Sequence, residues 1–170
     1  MNRYLKPSLL AILAALTMLS LWGCGRSAAP APAAAPTSAP ATAPAAADGL
    51  SFSTAGLSAD APTFWDAQWN GVPLQVMALS DGKGGVLLAY NTCQVCAGSP
   101  YAYFEVQEGA LVCQNCGNAF PFSAIGESSG GCDPMPVEEY RLENDRVILE
   151  AAELDRAAQA FTHWKEGLTE

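Results

Sequence analysis

The chain has 170 residues and carries 8 Lys and Arg against 17 Asp and Glu, a formal net charge of -9. That balance argues against a nucleic-acid binder, because neutralising phosphates needs clustered Lys and Arg. The length suits one folded domain, and the lone histidine, His163, argues against a multi-histidine metal site or histidine-based catalysis.

Residues 1–23 have the pattern of an export signal: the basic residues Arg3 and Lys6, an apolar run from Leu9 to Trp22, and Gly23 before Cys24. Leu21-Trp22-Gly23-Cys24 resembles the lipobox of bacterial lipoproteins, which implies cleavage before Cys24 and lipidation of its thiol. The alternative is an uncleaved anchor, because residues 7–25 are 19 positions without a charge, about the length that spans a bilayer. Both place the body outside the cytoplasm, in the bacterial cell envelope and tethered to a membrane. Residues 24–47 form the tether. Of the 21 residues at 27–47, 12 are Ala and 5 are Pro, a composition that cannot bury a core and favours an extended stalk of up to about 60 Å.

The remaining residues, 48–170, are expected to fold as a Cys-rich metal-binding domain. Trp65, Ala67 and Trp69 alternate onto one face of a strand over residues 63–69, and Asn70-Gly71 signals a tight hairpin into a second strand over 72–80. A glycine-rich turn at 81–85 leads to a third strand at 86–90, completing a meander that delivers the chain to Cys93. A second hairpin is expected over residues 101–107 and 110–113 about Glu108-Gly109, and a third over 140–144 and 146–150 about Asn144-Asp145. Residues 151–164 read as one amphipathic helix with Leu154, Ala158 and Phe161 on its apolar face. The fold class is therefore α+β, mainly β: a small meander and hairpin domain with two Cys knuckles and a C-terminal helix. The tryptophans read as core, and Met135, between two prolines, as packing. Glu138 and Glu139 read as solvated surface on opposite faces of a strand.

The cysteines carry the chemistry. Cys93-Gln94-Val95-Cys96 and Cys113-Gln114-Asn115-Cys116 stand 16 residues apart, so the pattern is C-x2-C-x16-C-x2-C. A two-residue spacing lets both sulfurs of a pair face one centre, and the intervening hairpin can bring the pairs together as a four-thiolate site. Four thiolates suit Zn2+, a lone iron or an iron-sulfur cluster. Gly98 and Gly117 lie where each loop turns, and the absence of a following histidine excludes C-x-x-C-H haem attachment. Cys132, in Gly130-Gly131-Cys132-Asp133-Pro134-Met135-Pro136, is a fifth candidate ligand, a reactive thiol or a structural residue. With Cys24 lipidated, five thiols remain, an odd number that cannot all pair as disulfides within the chain.

These residues together resemble the membrane iron-sulfur-containing FtrD-like proteins, whose members carry a C-x-x-C pair, a C-x-x-C-G pair and a downstream Gly-Gly-Cys-Asn-Pro-Ile-Pro. The matching positions are Cys93, Cys96, Cys113, Cys116 with Gly117, Ile125-Gly126, and Gly130 through Pro136, with Asp133 where the family has Asn and Met135 where it has Ile. The resemblance implies an iron-sulfur or metal-thiolate protein that passes electrons or assists iron uptake, with an iron permease or a redox protein as partner. Many relatives carry the domain after several membrane helices; here the N-terminal anchor stands alone.

Three functions follow. One is an electron-transfer or iron-handling protein with an iron-sulfur cluster. The second is a zinc-ribbon-like interaction module whose Zn2+ is structural and held by four cysteines. The last is a thiol-disulfide oxidoreductase, although reactive pairs usually open a helix and these follow strands. Nothing supports a hydrolase: the chain has no phosphate-binding loop and no histidine beside a nucleophile.

Overall fold

The structure, a computed structural model, describes residues 49–127 and 130–168. The export signal, Cys24 and the Ala/Pro-rich tether lie outside the described residues. Ten strands form three antiparallel sheets: β1 (Gly49–Ser53), β10 (Arg146–Glu150) and β9 (Arg141–Glu143); β2 (Thr63–Trp69), β3 (Val72–Ser80), β4 (Val86–Cys93) and β8 (Pro134–Pro136); and β5 (Phe104–Gln107), β6 (Ala110–Cys113) and β7 (Ala119–Phe120). One helix, α1 (Ala151–Ala158), follows β10 directly and runs into a single 3-10 turn at Gln159–Phe161.

The hairpins form where the turn residues demand them. Asn70 and Gly71 both have positive φ, 50° and 82°, as do Glu108 with Gly109 and Asn144 with Asp145, so each pair of strands is joined by two left-handed residues that match the strand twist. The meander β2-β3-β4 is as expected, and β4 runs three residues past Tyr90 to include Cys93.

Strands β3 and β4 have a core on each face, which explains why they read as unbroken apolar runs. Val76, Ala78, Leu88 and Tyr90 point into a first core with Leu50, Phe52, Trp65, Trp69, Leu149, Leu154 and Phe161. Met77, Leu79 and Ala89 point the other way, into a second core with Cys93, Phe104, Leu111, Cys113 and Ile125. Phe52 stacks on Trp65 at 4.9 Å with nearly parallel rings, joining β1 to the meander.

Four sequence expectations change. Strands β1, β7 and β8 were not foreseen. Tyr101 to Tyr103 are not strand, because the chain turns tightly after Cys96, with Ser99 N–H donating to Cys96 O and Ala102 N–H to Ser99 O. The helix stops at Ala158, not Trp164: the apolar stripe is Leu154, Ala157, Phe161 and Trp164, the Thr162 hydroxyl donates to Gln159 O at 3.0 Å, and Lys165 is left-handed. Glu138 and Glu139 are exposed but follow β8 outside any strand.

Candidate metal centre

Strand β4 carries Cys93 to the second core through a register shift between Tyr90 and Cys93. Asn91 sets this point. Its side chain accepts from Phe104 N–H at 2.7 Å and donates to Phe104 O at 3.2 Å and to Gln75 Oε1 at 2.6 Å, while its carbonyl accepts from Trp164 Nε1 at 2.7 Å. One buried amide thus ties the β5-β6-β7 sheet to the meander two residues before the first ligand candidate.

Each Cys-x-x-Cys folds as a tight loop at a strand end. Cys93 N–H donates to Ala102 O at 2.9 Å, and Cys113 N–H to Asn118 O at 2.9 Å, so each loop is closed by its own backbone. Gly98 (φ 93°) and Gly117 (φ 74°) occupy left-handed positions that a side chain would strain. Ser99 Oγ donates to Asn115 Oδ1 at 2.7 Å, and Gln114 N–H to Tyr103 O at 2.8 Å, joining the two loops.

The sulfurs of Cys93, Cys96, Cys116 and Cys132 all lie within 4.8 Å of one another. Cys113 lies outside that mutual set, buried beneath it and hydrogen-bonded to Cys116. All five are free thiols. The fourth corner therefore comes from Cys132, whose carbonyl also accepts from the Cys93 thiol at 3.3 Å. A four-coordinate ion with metal–sulfur bonds of about 2.3 Å sets its sulfurs about 3.8 Å apart, so a small closure of this set holds one ion. In a four-iron cluster each thiolate caps a different iron, and in a two-iron cluster two thiolates share each iron, so in neither do all four sulfurs surround one ion.

The electrostatics differ from thiol to thiol. Burial pushes the Cys93 and Cys113 thiols well up, against the pull of backbone N–H groups of Cys96 and Val95 on Cys93 and of Cys116 and Asn115 on Cys113. Cys116 is held below the usual thiol value, chiefly by the Asn118 N–H and then by the Cys113, Cys132 and Cys96 thiols donating to it. Cys132 is raised, first by its hydrogen bond to Cys116. A metal replacing the Cys93 proton would work against that burial, with the loop amides stabilising the thiolate once formed.

Cys93 and Cys113 are fully buried, Cys96 and Cys132 half-buried, and Cys116 exposed, so the site opens at one corner. Val95, 67 % exposed, caps the first loop. Residues 86–104 and 109–126 contain no charged side chain of their own, and Lys165 reaches the first loop from the C-terminal segment, its Nζ 4.7 Å from the Tyr103 ring centroid.

His163 is exposed and pairs with Glu166 at 2.6 Å, away from the cysteines, and Met135 packs against the first core. Sequence reasoning missed Asn91 and Asn118, whose side-chain amide reaches the Cys132 sulfur. Gly117-Asn118 after the second pair was the available signal for the latter. No helix among the described residues is long and apolar enough to cross a membrane.

No curated protein and no solved structure matches the chain. Residues 58–161, which hold all five cysteines of the site, match the membrane iron-sulfur containing FtrD-like proteins, and the chain belongs to that family.

Proposed function

We propose that this protein is an extracytoplasmic, membrane-anchored iron-thiolate protein that transfers electrons or handles iron beside a membrane iron-uptake system, with an iron permease or a redox protein as partner. The observation that carries it is the set of four sulfurs within 4.8 Å of one another on a domain of the FtrD-like family. Bound iron would supply one-electron chemistry there. The chain supplies the rest: Cys93, Cys96, Cys116 and Cys132 hold the metal, and three loop N–H groups on the sulfurs of Cys93 and Cys116 favour the more negative, reduced state. Exposed Cys116 offers the short path to a partner. Anchoring through lipidated Cys24 belongs to the same proposal.

The second function is a structural zinc site, favoured by sulfur spacings that suit a single ion. A visible spectrum with elemental analysis, on the full chain purified anaerobically from membranes, separates the two. Iron with thiolate-to-iron bands that bleach on reduction is the expected result. A colourless protein with one zinc supports the structural role, and a colourless, metal-free protein with disulfides supports thiol exchange.

A further inference from the structure

We infer that Glu153 and Arg156, on helix α1, position Cys132 for the metal; this rests on Cys132 being a ligand, as proposed above. The segment that carries Cys132 is poorly equipped to hold itself. Pro134 and Pro136 have no N–H to give to β4, and β8 is the edge strand of its sheet. Near Cys132 it is held by its pairing with β4 at Cys93, by the Cys93 thiol donating to Cys132 O at 3.3 Å, and by Gln94, whose backbone donates to Asp133 O at 3.1 Å and whose side chain donates to Pro134 O at 3.3 Å.

Beyond the pairing of Met135 with Tyr90 and of Pro136 with Ala89, the far end of β8 is held by the helix. Arg156 Nη2 donates to Pro136 O at 3.0 Å, and Glu138 N–H donates to Glu153 Oε1 at 3.2 Å. Arg156 also grips Glu153 at both oxygens, Nη2 to Oε1 at 2.6 Å and Nε to Oε2 at 3.0 Å. The Glu153 side chain is 3 % exposed, and the buried Tyr90 hydroxyl lies within its field. A carboxylate is costly to bury, and Leu154 and Ala157 beside it show that this face otherwise takes apolar residues. Glu153 is also the third residue of the helix, where a glutamate can reach back to hold its own N-terminus. Here its hydrogen bonds go across to Glu138 and Arg156 instead.

The geometry between clamp and sulfur is a lever. Proline fixes φ at 134 and 136, so the stretch between Pro136 and Cys132 is stiff, whereas Gly130 and Gly131 on the other side are permissive, with Gly130 at φ 71°. A shift at Pro136 therefore reaches Cys132 along β8 and through its pairing with β4, which ends at Cys93.

The test uses the full chain loaded with cobalt(II), whose thiolate charge-transfer intensity counts sulfur ligands, and follows its release to a chelator. Cys132→Ser is expected to lower the count from four to three. Glu153→Leu is expected to do the same and to speed release about tenfold, as loss of an outer partner of a metal site does. Glu153→Gln should fall between, because its amide oxygen still accepts from Glu138 N–H. Combining Glu153→Leu with Cys132→Ser should release cobalt no faster than Cys132→Ser alone. If Glu153→Leu does not fold, Glu153→Leu with Arg156→Met replaces the buried pair by apolar groups and is read in the same way.

A wild-type count and release rate in Glu153→Leu, or an undiminished added effect in the Cys132→Ser background, overturns the inference alone. Four thiolates in Cys132→Ser overturns the ligand assignment and the inference with it.

Discussion

The two cores on either side of β3 and β4 are closed by different means. The first buries sixteen hydrophobic residues, three of them tryptophans, under a helix and two sheets; the second buries eight, of which two are cysteines, under a sheet whose last strand has two residues. The second core is the smaller, filled out by partly buried Phe64, Leu87, Phe120 and Phe122, and a metal is a usual supplement in small domains. The difference teaches that one half of the domain is held by burial, while the other gathers four sulfurs that a metal would tie together.

The largest test of this contrast is removal of the metal, which takes away stabilisation on the order of 10 kcal/mol. Amide exchange is expected to accelerate over residues 104–120, while fluorescence from Trp65, Trp69 and Trp164, all in the first core, stays near its native value. Simultaneous loss of both signals would show one cooperative unit and end the contrast. A smaller effect should come from the opposite side. Phe161→Ala removes a ring that meets Tyr90 and Trp164, and is expected to cost about 3–5 kcal/mol in thermal unfolding while metal content is unchanged.

The smallest effect, that of Cys113→Ser, sharpens the comparison within the second core. The two Cys-x-x-Cys loops are alike in sequence but unequal in space, since the first gives both sulfurs to the mutual set and the second gives only Cys116. Cys116→Ser should lose most of the metal, whereas Cys113→Ser should keep nearly all of it, by elemental analysis of both. Loss of most metal from Cys113→Ser would restore the four cysteines of the paired motifs as the ligand set.

The sequence was most legible where a local rule decides the backbone. Asn70-Gly71, Glu108-Gly109 and Asn144-Asp145 announced their hairpins because few residue pairs tolerate two positive φ angles, and the alternation of Trp65, Ala67 and Trp69 announced β2. It was least legible where a distant partner decides. Strand β1 exists because Gly49 to Ser53 pair with Glu150 to Arg146, and Pro134 to Pro136 become a strand only against β4. That same pairing brings Cys132 to the metal set, so the cysteines were visible as candidates while their ranking was not. Spacing along the chain defines pairs, and only the sheet register decides which sulfur completes a tetrahedron. Helix α1 was overextended because Phe161 and Trp164 continue its stripe through a 3-10 turn.

The uncharged loops around Cys116 bear on kinetics. A partner meeting this face finds no charged side chain within the loops themselves, so long-range steering comes from the acidic remainder of the domain. Charge elsewhere on the molecule would keep it soluble, and recognition at the metal would fall to shape, amide hydrogen bonds and the Val95 side chain.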